Sequence, residues 1–358
     1  MKKEKMTSLF FYIPLLMIMT ISLLVMLHAK NISPLYQNNA LKQSIFFAIG
    51  LFLLLLKDKL PLKKIFAWSF LAYLFNCFLL ILVLLIGSST KGAKAWFHLG
   101  FFSFQPSELM KLTLCLYLSY LTEKQSFTKK KDEIKYLFKV FIIVLIPSIL
   151  VFLEPDTGAI LFYLLIALAI ILSSKCSKKW IIFIFTMISI LTALFFYAYF
   201  YHQDILIKII GTSFFYRVDR LLNFQKGLQI ENALIALGSA PFFDLKLYQT
   251  GIYIPEAPTD FAFALTANVF GLIGNIILLI CYFLIDCYLI KIWKNTKKEQ
   301  MKYFCSSFLL MFISNQIYNI AMNIGIVPIM GIPLPLLSYG GSTTMVYFLF
   351  LMIILKKN

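Results

Sequence analysis

The sequence predicts an all-α polytopic membrane protein of about ten transmembrane helices, with a large extracellular loop between spans 7 and 8. Three observations predict it. First, 61% of the 358 residues are hydrophobic and only 14% are charged, whereas a soluble domain is about half apolar and about a quarter charged. The mean hydropathy of +0.85 says the same. Second, the apolar residues gather in runs of about 20, the length that crosses a bilayer. Third, the lysines gather in alternate connections between those runs. A soluble fold is excluded. The net charge of +17, which in a soluble chain would point to nucleic acid, is here a matter of topology, and no nucleic-acid partner is expected.

The runs are Ser8–His28, Leu41–Leu56, Ile65–Gly87, Pro106–Leu121, Tyr136–Leu153, Gly158–Ser173, Trp180–Tyr201, Phe261–Ile290, Phe304–Asn323 and Tyr339–Leu355. The first is as long as a full span and has no small-residue cleavage site behind it, so it is expected as a span and not a signal peptide. The eighth is long enough to tilt or to pass beyond the bilayer. No internal repeat suggests an inverted-repeat transporter, and residues 1–358 are expected as one domain.

Orientation follows from lysine placement. With the N-terminus inside, the inner segments hold Lys2, Lys3 and Lys5, the cluster Lys57, Lys59, Lys63 and Lys64, and the charged stretch from Lys124 to Lys139. They also hold Lys175, Lys178 and Lys179, the run Lys291 to Lys302, and Lys356 and Lys357. Both termini of this multi-pass membrane protein are therefore expected in the cytoplasm. The outer side carries the longest connection, about 60 residues from Tyr201 to Asp260, a length that usually means function or disorder. Its apolar stretches Ile205–Ile210 and Leu234–Leu237 argue against disorder. The six cysteines (Cys77, Cys115, Cys176, Cys281, Cys287 and Cys305) show no paired metal-ligand spacing, and the three histidines are scattered. No disulfide and no zinc site are expected.

Four outer clusters carry chemistry. In Lys91–Lys111, Gly92 and Gly100 permit a tight turn and Pro106 suits the first turn of the next helix. Ser107 and Glu108 can cap or complement that helix start. None of this explains Lys111. Glu108 and Lys111 lie three apart on one helix face near the outer boundary, where ionisable groups are costly. A structural pair and a cavity lining both remain open. Glu154–Gly158 reads as a plain turn with an acid at a helix start. In Ile254–Phe263, Thr259 or Asp260 can be an N-cap, or Asp260 can be a partly desolvated carboxylate that takes a proton from a substrate hydroxyl. Gly325–Ser342 is apolar, yet Pro328, Pro333 and Pro335 forbid a continuous helix. It reads as a re-entrant or boundary loop covered by other outer segments. Upstream, Asn315, Gln316, Asn319 and Asn323 form a polar stripe, for which interhelical hydrogen bonding is the plain account.

Together and in order, these clusters resemble the SEDS family (shape, elongation, division and sporulation), the group of RodA, FtsW and SpoVE. Gln105–Lys111 matches QPSE-x-x-K, Pro155–Gly158 matches PD-x-G, and Ala236–Ser239 matches A-x-GS. Pro255–Phe261 matches PE-x-x-TDF, and Gly331–Ser342 matches G-x-PLP-x-x-SYGGS. The resemblance implies a peptidoglycan glycosyltransferase that polymerises lipid II, an undecaprenyl-pyrophosphate-linked disaccharide peptide, outside the cytoplasmic membrane. It implies Asp260 as the catalytic residue, Glu108 and Lys111 lining the same cavity, and a class B penicillin-binding protein as partner. Gln105, Ser107, Glu256, Thr259, Ser338 and Ser342, which fall within the matched motifs, are the further substrate-binding candidates.

The chemistry fits those residues. Chain growth from a polyprenyl-pyrophosphate donor needs a base at the acceptor hydroxyl and cations at the leaving diphosphate. Asp260 is the candidate base; Lys111 with Arg217 or Arg220 are candidate diphosphate contacts. A divalent cation can share that charge, although no residue pattern demands one. The chain departs from the family pattern in places. Ala95 stands where an arginine is common, with Lys94 as a stand-in, and Glu154 stands where Gln is usual. The Gly-rich stretch after A-x-GS is Ala240–Lys246, Pro258 replaces a common histidine, and Asn268 replaces an acidic residue. Two other functions stay open: a lipid II flippase, which would need a polar path across the whole bilayer, and a non-catalytic scaffold for the transpeptidase.

Overall fold

The computed structural model describes residues 2–90, 93–100, 102–212, 227–245 and 252–356. Arg217 and Arg220 lie outside these residues. Helices occupy all ten apolar runs. They are α1 (Lys2–Ile32), α2 (Asn39–Leu55), α3 (Leu62–Ala67) and α4 (Ser69–Ile86), then α5 (Pro106–Glu123), α6 (Lys130–Leu153), α7 (Thr157–Ser173) and α8 (Lys178–Tyr201). After these come α9 (Gln203–Ile210), α10 (Leu228–Gly238), α11 (Ala262–Asn295), α12 (Glu299–Asn323) and α13 (Gly341–Ile354). The third run is split at Trp68 into α3 and α4. The basic run 128–135 is only partly a loop: α6 starts at Lys130, where Asp132 accepts hydrogen bonds from Thr128 Oγ1 at 2.9 Å and the Lys129 amide at 3.0 Å. The connection between α4 and α5 is a small antiparallel sheet of β1 (Ser88–Thr90), β2 (Ala93–Leu99) and β3 (Phe102–Phe104) in the order β1-β2-β3.

Among the described residues, six helical segments are long and apolar enough to cross a membrane: Leu9–Ile32, Pro34–Leu55, Ser69–Ile86, Lys130–Leu153, Lys178–Tyr201 and Ala262–Asn295. Thr157–Ser173 and Gly341–Ile354 are apolar but shorter. The two remaining runs form α5 and α12, and their position explains their polarity. Helix α5 packs against α4, α7, α12 and α13, and buries Ser107, Glu108, Lys111, Thr113, Ser119 and Thr122. Helix α12 packs against α7, α5 and α11, and buries Ser307, Asn315, Gln316, Asn319 and Asn323. Polar side chains in a membrane protein face the bundle interior because lipid offers them no partner. The outer faces of α1, α4, α6, α8 and α11 instead expose large apolar residues such as Phe10, Phe75, Phe141, Phe200 and Phe283. On a soluble protein, faces of this extent would be interaction or aggregation sites.

Aromatic packing joins the interior helices. Phe308 of α12 lies 4.8 Å from Phe350 of α13 and 5.2 Å from Phe312. Helix α11 lies along α1 and is not continuous: Gly271, at φ 69° and ψ −169°, interrupts it. The amides beyond the break find acceptors outside the helix, Leu272 N to Pro241 O at 2.9 Å and Ile273 N to Phe242 O at 3.0 Å.

Candidate active site

Two groups of candidate residues form at the ends of these helices. The first is centred on Asp156. Helix α7 begins after it, and its Oδ1 accepts the Ala159 amide at 3.2 Å as an N-cap. Its Oδ2 accepts from Gln105 Nε2 and from Ser107 Oγ, both at 2.9 Å. Ser107 therefore does not cap α5; its hydroxyl reaches across to the next helix pair. Ser342 Oγ accepts the Gln105 amide and donates to Ser103 O, each at 3.0 Å, which ties the start of α13 to β3. Tyr163 OH donates to Ser107 O at 2.9 Å, and Asn76 Nδ2 to Pro106 O at 3.3 Å.

One helical turn below, Lys111 Nζ meets Glu108 Oε1 at 2.6 Å, and both side chains are buried. The Lys111 ammonium also lies 5.2 Å from the Phe162 ring centroid, a cation–π distance. Glu108 Oε2 and the Asn76 side-chain oxygen are buried with no hydrogen-bond partner among the described residues. Glu154, at the C-cap of α6, is 0% exposed and neither of its oxygens has a partner among those residues. Burial, with Asp156 second, pushes its carboxyl up to about 8. Burial also raises the Asp156 carboxyl, while the Ser107 hydroxyl pulls it back. The site thus holds three carboxyl groups, of which Glu108 pairs with Lys111 and Asp156 feels its charge.

The second group is centred on Asp260. Residues 255–260 form a tight turn about the Glu256 carbonyl, which accepts the amides of Thr259 and Asp260 at 3.1 Å and the Thr259 hydroxyl at 3.1 Å. Glu256 has φ 60°, a left-handed conformation that costs on the order of 1–3 kcal/mol outside glycine. Thr259 Oγ1 also reaches Glu256 Oε2 at 3.3 Å. Neither Thr259 nor Asp260 is the N-cap of α11; that position is Phe261, and the Ala264 amide is met from α12 by Asn323 Oδ1 at 3.0 Å. The Gly325–Ser342 region is non-helical between the two helices, as its prolines demand, and the Tyr339 amide donates to Pro258 O at 2.8 Å. Ser338 is buried and its hydroxyl accepts the Leu334 amide at 2.8 Å, so it braces its own loop.

Contacts join the two groups. A Cβ on Gly158, two residues after Asp156, would lie 2.7 Å from Met330 O and 3.1 Å from Ile332 Cγ1. Ile332 O in turn accepts from Asn319, which also donates to Asp260 O. Two departures from the family pattern acquire structural roles. Lys94 Nζ donates to Leu85 O at 2.9 Å at the end of α4, and Asn268 Nδ2 donates to Ile252 O at 3.3 Å. The hub role of Asp156 and the burial of Glu154 are invisible in a turn that reads Glu-Pro-Asp-Thr-Gly, because their neighbours are about 50 residues away in sequence.

A family model described as cell cycle protein, for FtsW, RodA and SpoVE, matches residues 5–357. The chain belongs to the FtsW, RodA and SpoVE family. A probable peptidoglycan glycosyltransferase FtsW from Wigglesworthia glossinidia brevipalpis is 31% identical over 99% of this chain and 96% of that protein. The peptidoglycan glycosyltransferase MrdB of Helicobacter pylori is 28% identical over 89% of this chain and 82% of that one. Two solved structures share the family's fold. A chain of a peptidoglycan synthase complex that coordinates polymerization and crosslinking matches with TM-score 0.78 at 23% identity, covering 96% of each chain. The rod shape determining protein RodA of Thermus thermophilus matches with TM-score 0.66 at 24% identity, covering 96% of this chain and 94% of that one. The chain is accordingly a multi-pass protein of the cytoplasmic membrane.

Proposed function

We propose that this chain is a peptidoglycan glycosyltransferase that polymerises lipid II on the outer face of the cytoplasmic membrane, with Asp260 as general base. The observation that carries the reading is family membership along nearly the whole chain, with relatives named as glycosyltransferases, together with Asp260 standing at the end of a tight turn. In the reaction the acceptor sugar hydroxyl attacks the anomeric carbon of the donor. The bond from that carbon to the diphosphate oxygen breaks as the new glycosidic bond forms, and the hydroxyl proton passes to Asp260. The polyprenyl diphosphate leaves as an anion, for which Lys111, with Arg217 or Arg220, supplies positive charge. Glu108 holds Lys111 in place through the 2.6 Å ion pair, while Gln105, Ser107 and Ser342 fix the start of α5 over it. Among the described residues no group of three or more His, Cys, Asp or Glu side chains is placed to hold a metal ion.

The same reading puts both termini in the cytoplasm and pairs the chain with a class B penicillin-binding protein that cross-links the new glycan. Support for the pairing is the fold shared with a chain of a synthase complex that couples polymerization to crosslinking. The test is lipid II polymerisation by the protein purified with and without that partner, at matched protein levels. Asp260→Asn keeps size and shape, so the fold should persist while the rate falls by about 10²–10⁴, the usual share of general-base catalysis. Near wild-type strand extension by Asp260→Asn would remove the catalytic assignment and favour a scaffold or flippase. Recovery of the chain alone from mild detergent, with full activity, would remove the partner.

A further inference from the structure

Four polar side chains line one stripe of α12, and the structure divides them by what they bond. Asn315 reaches Tyr347 of α13, and Gln316 reaches Asp286 of α11 at 3.0 Å. These are side-chain bonds between neighbouring helices, the ordinary use of buried amides in a membrane bundle. Asn319 and Asn323 are different: both are 0% exposed and both donate to the backbone carbonyl of Asp260, at 2.8 and 3.1 Å. We propose that Asn319 and Asn323 are positioning residues for Asp260, a two-amide clamp that sets where its carboxylate meets the acceptor hydroxyl. The proposal rests on Asp260 being the base.

The geometry is specific to that purpose. A carbonyl oxygen has two lone pairs, and α12 supplies a donor to each. Both donors are themselves tied down. The other amide hydrogen of Asn319 goes to Ile332 O at 2.7 Å, while Asn323 Nδ2 also reaches Asn319 O at 2.8 Å and Asn319 Oδ1 at 3.2 Å. Asn323 Oδ1 accepts the Ala264 amide at 3.0 Å. Its carboxamide therefore spans Asp260 O and Ala264 N, the two groups four residues apart that a helix would join directly. The clamp grips the chain where the outer turn ends and α11 begins. The same turn is also tied by bonds converging on the Glu256 carbonyl and by the Tyr339 amide on Pro258 O. That turn contains a strained residue, Glu256 at φ 60°, and the bonds from α12 fix the backbone where it leaves the turn. A general base acts only within about 2.6–3.2 Å of its proton, and misplacement by about 1 Å can cost about 10²-fold.

The experiment separates positioning from folding. Asn319→Leu removes the donors to Asp260 O and Ile332 O while keeping the number of side-chain heavy atoms, and it leaves the Asp260 carboxylate and the Glu108–Lys111 pair chemically unchanged. At matched membrane levels, the expected result is a kcat for lipid II polymerisation lowered by about 10–100-fold, with KM little changed. In an Asp260→Asn background the same substitution should add no further loss, because it acts through the carboxylate that background lacks. Should Asn319→Leu fail to accumulate, Asn319→Gln keeps the donor but moves it one methylene outward and should show the same kcat-selective loss. A wild-type kcat for an accumulating Asn319→Leu, or a loss confined to KM, overturns the clamp while leaving Asp260 as base. A near wild-type rate for Asp260→Asn overturns the base assignment, and the clamp with it.

Discussion

Glu154 shows how much a single side chain can hide. The sequence places it before a Pro-Asp turn, where an acid is unremarked. The structure leaves it 0% exposed with no partner for either oxygen among the described residues. A buried carboxylate is costly unless paired, so the group keeps its proton instead. Burial raises it from 4.5 to about 8, so the folded chain binds this proton more tightly than the unfolded one. The stabilising contribution is fully present below pH 4.5, declines above it, and is gone once pH has risen through about 8. Glu154→Gln, which restores the residue usual in the family pattern, should remove that dependence. The expected result is a wild-type melting temperature in detergent that falls between about pH 5 and about pH 9, against a flatter profile for the variant. Equal slopes would mean that Glu154 is ionised throughout. Asp156 carries a related lesson. Its N-cap role is legible two residues before Gly158, while its bonds to Gln105 and Ser107 are tertiary and have no local signature.

Elements were legible where a bilayer imposes their length, and less so where backbone bonds decide. The run Phe261–Ile290 is predominantly apolar on both sides of Gly271, so nothing in its hydropathy reveals the break there. The break makes sense once the segment after α10 is seen to lie on it, with Pro241 and Phe242 carbonyls accepting the Leu272 and Ile273 amides. These bonds use only main-chain atoms. That is a physical reason why the segment 240–245 can diverge from a glycine-rich pattern and still dock. Gly271 itself has no such freedom: at φ +69° its added Cβ would lie 2.5 Å from Pro241 O and 3.1 Å from the Asp244 amide nitrogen. Gly271→Ala should therefore destabilise by at least the roughly 1–3 kcal/mol of a strained residue, with proteolysis appearing between 240 and 245 as the segment lifts. Phe242→Ala and Phe243→Ala, at side chains 68% and 70% exposed, should stay within about 0.5 kcal/mol of wild type. An unchanged melting temperature for Gly271→Ala would show that the kink is not held by this contact.

At the scale of the molecule, polarity and position are one fact. Helices α5 and α12 carry the polar residues that keep them from qualifying as apolar spans, and they sit inside the bundle, where those residues find partners. The charged pair Glu108–Lys111 and the asparagine stripe are thus marks of interior helices, and the sequence displayed them as polar residues in otherwise apolar runs. It could not display which ends meet, because Gly158 against Met330 and Asn319 against Asp260 are contacts between segments far apart in the chain. The proposed orientation ties this interior to one side of the membrane. Lysine placement puts α6's basic start in the cytoplasm and α10, within the 201–260 segment, outside. Of the six cysteines, five are buried and Cys287 is exposed, so a Cys287→Ser chain gives a quiet background for single reporters. Glu231→Cys on α10 should then react in whole cells with a membrane-impermeant maleimide, while Lys130→Cys at the start of α6 should react only after the cells are opened. The reverse pattern would put the Asp260 turn in the cytoplasm, away from any extracellular glycan, and the polymerase reading could not survive it.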